Sequence, residues 1–474
     1  MNSFLIDSFK GGISDWEDKG IKGAYKFGQG INIRKDADTL SCQQALVEES
    51  AGIITDLVMF FVPASDGNVY GFGNTGKIYK RVAATNTWTL VYTDTNGAIN
   101  GACEWMLNTG KYYLFWSTTT RISCKEIPGN TGWSDVNALA GYPKTNLTNE
   151  TWHTMSVAVG NLLICNGQYL AMIVYDGSYT NQALNLGPGH KAITIVERNR
   201  YAIIGSYAIG NYQKTTLTSW DTVSLSWNDR KTLYSGSVTS AIDTDLPLVY
   251  MGYPTGSAGS LYYADMQDSL PLLTIPGRGS NYPGAITNDE GVALLGIWGN
   301  TLSRNGIYSY GRRKKNQSPT LNLEYPLTCD ALGAVGKFSI YTGNDYTFTL
   351  VSYRVGATYG VKRVDTAAMA AGDYYSLDLK APPRLGYIPI WSHVVLTMKA
   401  LPVSSTVEVY YKLDKAGSFI QAKMEGNITS ATVTNSQEAI FLIGEQAKII
   451  EVEIKLTPSG NTTPEIYKAE IYFE

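Results

Sequence analysis

The sequence predicts an all-β protein: a seven-bladed β-propeller with four-stranded blades, followed by a small C-terminal β-sandwich. Three observations predict it. The first is composition: 33 Tyr stand against 12 Phe and 10 Trp, with 47 Gly. Tyr favours strands and can bury its ring while its hydroxyl stays wet. So many Gly beside so many Tyr reads as many short strands joined by many turns. The second is an internal repeat with a period of about 47 residues, the length of a four-stranded blade. The third is a change of pattern from residue 393 onward, where the repeat stops and period-2 alternation takes over.

Residues 1–52 are expected to form an N-terminal arm and a ring-closing strand. The stretch SFKGGISDWEDKGIKGAYKFGQGINIRKDADTL, residues 8–40, holds six glycines and few apolar residues, too few for a core of its own. A propeller closes by letting both chain ends share one blade, because an unpaired edge is a liability. The runs GINIRKD (30–36) and TLSCQQAL (39–46) are the strand-like segments before the first repeat, and one of them is expected to complete the last blade. The glycine-rich stretch before them reads as an extended arm that orders on a neighbouring subunit, with Trp16, Tyr25 and Phe27 as its apolar interface anchors.

Residues 53–385 are expected to form the propeller. Strand-like runs centre on Ile78, Ile122, Ile173, Leu217, Leu261, Ile307 and Val361, at steps of 44, 51, 44, 44, 46 and 54 residues. A second marker, Trp88, Trp133, Tyr179 and Trp227, runs beside the first four at steps of 45, 46 and 48. Earlier apolar runs such as NLLICNG and VALLGIWGN supply further strands of the unit. Blades bury both faces, so continuous apolar runs are expected beside alternating ones. In the seventh unit, KFSIYTG and FTLVSYRV compete for one strand role.

Residues 386–474 are expected to form the sandwich. Val407, Val409, Tyr411 and Leu413 alternate with Glu408, Tyr410 and Lys412, and Ile450, Val452, Ile454 and Leu456 alternate with Glu451, Glu453 and Lys455. Half-buried antiparallel strands read in this way. APPRLGYIP (381–389), with three prolines, is a semi-rigid joint.

Charge and chemistry narrow the function. The net charge is −3, so no broad basic field exists to hold nucleic acid. The basic run Arg312–Lys315 adjoins turn residues and reads as a solvated loop. No window approaches the ~20 apolar residues of a membrane span. Five cysteines at no metal-ligand spacing read as buried free thiols.

Glycan hydrolysis would need two facing carboxylates. Asp176, Asp221, Asp243, Asp245, Asp265, Asp289 and Glu290 are candidates, and no pair among them stands out. Turn chemistry explains Asp243 and Asp245, and Asp289-Glu290-Gly291 reads as a tight polar turn. His153, His190 and His393 lie in three different contexts and read as structural. GFGNTGK (71–77) lacks the order of a phosphate loop and precedes a strand. Trp88 and Trp133 read as blade packing.

Three parts of the chain together resemble the propeller-bearing structural proteins of tailed bacteriophages. They are the leader GGISDWEDKGIKGAYKFGQGINIRKDADTLSCQQAL, the pair GIYSYGRRKKNQSP and YGVKRVD, and the ending VEVYYKLD…KIIEVEIKL…PEIYKAEIYFE. The resemblance implies a non-enzymatic virion protein of the tail, baseplate or neck, assembled in the host bacterial cytoplasm. It implies other virion proteins as partners, and we expect a homo-oligomer in a symmetric ring. It brings no catalytic, cofactor-binding or metal residues. A host-surface glycan-binding module is the competing expectation, ahead of a glycan hydrolase.

Overall fold

The computed structural model describes residues 2–14, 22–34, 39–50, 52–209, 214–233, 236–244, 248–253, 260–264, 269–274, 279–299, 304–312, 319–340, 346–382, 387–434 and 437–474. The protein is all-β. Among the described residues, helix is confined to single turns such as Glu425–Asn427, and no helix is long and apolar enough to cross a membrane. The chain divides into two compact units: residues 48–305 with 328–363, and residues 1–47 with 306–327 and 364–474. These are not the boundaries expected at 53 and 386. The N-terminal segment and residues 306–327 belong with the C-terminal segment, for the pairing reasons given below.

The larger unit is a succession of antiparallel sheets. The first holds Val58–Pro63, Val69–Gly73, Lys77–Val82 and Thr87–Thr93. The second holds Gly101–Met106, Tyr112–Ser117 and Ile122–Ile127. The third holds Met155–Ala158, Asn161–Asn166, Tyr169–Ile173 and Tyr179–Asn185. The fourth holds His190–Arg198, Tyr201–Ala208, Thr215–Trp220 and Asp229–Leu233. The fifth holds Ser237–Ile242, Leu248–Tyr253, Ser260–Ala264 and Ser269–Thr274, joined to the fourth at the bridge between Tyr207 and Ser237. Ile286–Asp289 and Val292–Ile297 form the sixth, as a hairpin.

The seventh sheet holds Ala331–Ile340, Tyr346–Val355 and Thr358–Met369. The two runs that compete for one role in the sequence are therefore two neighbouring strands. Six of the seven repeat markers, Ile78, Ile122, Ile173, Leu217, Leu261 and Val361, fall on the third strand of their sheets. Ile307 falls on Gly306–Gly311, the strand that follows the sixth hairpin in the chain.

Successive sheets bury their faces on one another. Phe72, Ile78 and Tyr70 of the first sheet share a core with Leu114 and Trp116 of the second. Phe115 and Ile122 of the second meet Leu162 and Ile164 of the third. Leu163 and Leu170 of the third meet Ile204 and Trp220 of the fourth. Val58, Tyr79 and Trp88 of the first sheet meet Phe348, Leu350 and Val361 of the seventh. The leading strands of the seven sheets contact each other in succession, and that of the seventh contacts that of the first.

Close approach of these strands needs glycine at two places. A Cβ on Gly101 would lie 1.8 Å from the carbonyl oxygen of His153, and one on Gly333 would lie 2.1 Å from that of Val58. A side chain at either position would push adjacent sheets apart.

Among the described residues the smaller unit carries two larger sheets and a parallel pair of Gly12–Ile13 with Ala24–Tyr25. In one, Glu465–Phe473 lies between Asn2–Ile6 and Ile390–Met398, and Glu438–Gln446 forms the far edge. Trp391 is fully buried there, with ring centroids 6.0 Å from Phe4 and 5.3 Å from Phe473. In the other, Ile449–Thr457 lies between Thr406–Leu413 and Gly372–Tyr375. Phe27–Gln29 pairs with Gly372–Tyr375 and, through Gln29, with Leu323 of Thr320–Pro326, which pairs in turn with Gly306–Gly311. This is why residues 306–327 group with the C-terminal segment.

The alternation expected for Ile450–Leu456 is found, but Glu451 and Glu453 are buried as well. Lys26 Nζ reaches Glu451 at 2.7 Å, so the N-terminal segment covers a face that the sequence pattern assigns to solvent.

The five cysteines are free thiols, four of them buried. Burial pushes the Cys42 thiol up to about 11 and those of Cys103, Cys124 and Cys329 up to about 12. Native protein at pH 8 is therefore expected to react negligibly with Ellman's reagent, and all five thiols to titrate after denaturation. A fast-reacting thiol in the native state would contradict this packing.

Candidate functional site

Four of the acidic residues considered for catalysis, Asp176, Asp221, Asp243 and Asp289, are spent on turns and ties between sheets. Asp176 accepts the Ser178 amide at 2.7 Å and caps its own turn. Asp243 pairs with Arg198, joining the fifth sheet to the fourth. Asn288 Nδ2 adds a bond to the Asp243 carbonyl at 3.0 Å. Asp289 pairs with Lys337 of the seventh sheet. Glu290 is exposed and sits at φ +51°, the turn geometry expected for the Asp289-Glu290-Gly291 corner. Asp245 and Asp265 lie outside the described residues, as do Arg313–Lys315 of the basic run. Among the described residues no group of three metal-ligating side chains comes together.

The histidines are scattered. His153 is fully buried, with Nδ1 2.6 Å from the Cys165 carbonyl and Nε2 2.9 Å from the Thr119 carbonyl. It locks main chain to main chain. His393 stacks on Tyr472 with centroids 4.6 Å apart. For His190, burial first and the nearby Arg230 guanidinium second lower the imidazole pKa.

Of the expected aromatic packers, Trp88 and Trp133 are buried. Trp227, the fourth of that series, is not: it lies on a loop and is 40 % exposed.

The arm anchors are placed as follows. Tyr25 is buried in its own chain, its hydroxyl donating to Asn322 Oδ1 at 2.8 Å and its ring 5.4 Å from that of Tyr374. It is a core residue, and no neighbouring subunit can reach it. Phe27 is half-buried, 6.0 Å from the Tyr375 ring, on the strand Phe27–Gln29 of the smaller unit. Trp16 lies outside the described residues. The expected free arm is thus corrected: its flanks are strands of the smaller unit, because Tyr25 and Phe9 fill that unit's core against Tyr374.

The loop 221–228, between the third and fourth strands of the fourth sheet, is the feature sequence reading missed. It is tightly self-bonded. Asp221 Oδ1 accepts the amides of Val223 at 2.9 Å and Ser224 at 2.7 Å. Asp221 Oδ2 accepts from Ser224 Oγ at 2.7 Å and Asn228 Nδ2 at 2.9 Å. Trp220 Nε1 donates to the Ser224 carbonyl at 2.8 Å. Asn161 Nδ2 of the third sheet donates to Thr222 Oγ1 at 3.0 Å.

With its polar groups turned inward, the loop turns Val223 (86 % exposed) and Leu225 (101 %) outward beside Trp227. The Arg230 guanidinium lies 4.4 Å over the Trp227 ring. The available signal in the sequence was the run Asp221…Ser224…Asn228, three side chains that bond local backbone.

The Ser224 amide first, then Asn228, the Ser224 hydroxyl and the Val223 amide hold the Asp221 carboxyl well below its ordinary range. A lowered folded pKa means the cap's stabilisation is present above the ordinary value of 3.8 and is lost only as pH falls through the lower one. Asp221→Ala is expected to speed amide exchange of residues 222–228 at neutral pH while leaving the melting of the unit nearly unchanged. Unaltered exchange would contradict the capping role.

No protein-family model matches the chain. No curated protein matches it either. Among solved structures it is similar to the β-propeller domain of Cps50 (Swd1) of Myceliophteria thermophila, at 9 % identity over 68 % of this chain and 98 % of that one, with a TM-score of 0.46. It is also similar to the WD40 β-propeller domain of Doa1, at 15 % identity over 68 % and 96 %, with a TM-score of 0.45. Likeness at this level defines neither the fold nor the function of this chain.

Proposed function

We propose that the larger unit is a seven-bladed β-propeller closed by the N-terminal strand, that the smaller is a β-sandwich, and that together they serve as a non-enzymatic structural protein of a virion. The propeller reading is supported by seven leading strands in serial contact, the last against the first. The observation that carries the structural reading is the use of the acidic candidates: Asp243 and Asp289 tie neighbouring sheets, and Asp176 and Asp221 cap turns. A hydrolase would hold such carboxylates open to substrate.

The place in a tail, baseplate or neck, the partnership with other virion proteins, the symmetric ring of copies and assembly in the host cytoplasm rest on the sequence resemblance to tailed-phage proteins. The test is gold labelling of this chain in purified particles viewed in negative stain. A fixed position on the tail, baseplate or neck is expected. Absence of the chain from particles overturns the assignment, and release of reducing sugar from host envelope by the purified protein overturns the non-enzymatic reading.

A further inference from the structure

We propose that Trp152, Tyr282, Trp298 and Arg354 form a binding site for a small ring-bearing carboxylate. All four lie in the larger unit, and all four are half-buried. The Tyr282 ring neighbours two indoles, with centroids 5.8 Å from Trp152 and 5.7 Å from Trp298. The three rings pack on the core shared by the first and second sheets. Arg354, near the end of Tyr346–Val355, bears on the same place: burial raises the pKa of the Tyr282 hydroxyl, and the Arg354 charge pulls against it.

The fold holds Tyr282 there. Asn281, itself buried, donates through Nδ2 to the carbonyls of Ala285 at 3.1 Å and Gly296 at 2.9 Å, and it accepts from Ser240 Oγ. The Trp298 amide donates to the Ser280 carbonyl at 3.0 Å. A Cβ on Gly284 would lie 2.0 Å from the Met59 carbonyl oxygen, so the segment 280–285 is pressed against the first sheet. The rings are therefore set before any ligand arrives, and little ordering cost opposes binding.

The polar groups of the cluster select the ligand. Trp298 Nε1 and Arg354 Nε are both withdrawn from solvent, and among the described residues neither has a hydrogen-bond partner. Buried donors without acceptors are rare in folded proteins. Among the described residues Arg354 has no ion-pair partner either. The cluster thus offers N–H donors and a positive charge, and its complement is an anion that accepts hydrogen bonds. A neutral sugar would leave the Arg354 charge without a counter-charge. The aromatic faces call for a ring beside the anion. A carboxylate on an aromatic ring and one on a sugar ring share this chemistry.

The test is ligand-observed saturation-transfer NMR on the full chain, titrated with benzoate and with glucuronate. Benzamide, glucuronamide, acetate and inorganic phosphate are the controls. At least one acid is expected to bind saturably, about tenfold or more tighter than its own amide and than acetate or phosphate. Binding of benzoate assigns the site to flat aromatic acids, and binding of glucuronate assigns it to sugar acids. Arg354→Gln should remove the preference for acid over amide. Trp298→Phe, which keeps a ring and loses the N–H, should weaken acid binding by about tenfold. Neither substitution should move the melting temperature. The proposal is overturned if neither acid saturates the chain, or if acid and amide bind alike, a comparison that needs no variant. It is equally overturned if acetate or phosphate binds as tightly as the ring acids, or if the preference for acid survives in Arg354→Gln.

Discussion

Glu49→Ala is expected to destabilise the larger unit by about 3–5 kcal/mol, the cost of stripping one partner from a buried ion pair. The Glu49 amide donates to the Val361 carbonyl of the seventh sheet at 3.0 Å. Its carboxylate takes Arg81 of the first sheet in a two-pronged grip, Nε at 3.0 Å and Nη2 at 2.6 Å. Arg81 is fully buried, its guanidinium 4.1 Å over the Phe348 ring of the seventh sheet. Arg363 adds a second cation 3.4 Å from Glu49.

The pair thus sits where the first and last sheets meet. Without Glu49 the Arg81 charge stays buried, and the neutral Asn86 oxygen at 2.8 Å does not compensate it. Replacing both residues by apolar ones of similar size, Glu49→Leu with Arg81→Met, is expected to recover much of the loss. Urea melts of the three proteins decide it: a single variant as stable as the parent would mean that the pair contributes nothing to the contact between these sheets.

Removing residues 1–28 is expected to abolish the cooperative melting of the smaller unit, and Tyr25→Ala alone to cost about 3–5 kcal/mol, as for other buried large aromatics. The deletion takes away Asn2–Ile6, whose five residues pair in register with Ala469–Phe473. It also takes Phe9 and Tyr25, both fully buried against Tyr374, and Lys26, the cation on Glu451. Tyr25 carries an additional cost, since Asn322 receives its hydroxyl hydrogen and in turn donates to the Ile31 carbonyl. A truncated chain that melts like the intact one would show that the N-terminal segment is an appendage, as its composition suggests.

The strands were legible because their signal is local. A β-branched or Leu centre followed by turn residues marks a strand whatever it packs against, and six of the seven markers landed on the third strand of a sheet. The alternating runs on Thr406–Leu413 and Ile449–Thr457 became strands for the same reason: alternation records which face is wet.

The N-terminal segment was misread for the converse reason. Its glycines and charges describe a chain with no core of its own, and that is true. Nothing in residues 8–28 records that Tyr374 lies some 350 positions away and waits for Phe9 and Tyr25. Glu451 and Glu453 look solvent-facing by period, yet they are buried because that segment covers them. The exposure of Trp227 was equally hidden, since a Trp at the repeat spacing of Trp88 and Trp133 carries the same local pattern whether it enters a core or stands outside it. By itself, then, the sequence determined the all-β class, the repeat and the positions of the strands, all set by neighbours within a few residues. Only the tertiary structure decided which strands the N-terminal segment joins and which faces it covers, because those outcomes depend on contacts between residues hundreds of positions apart.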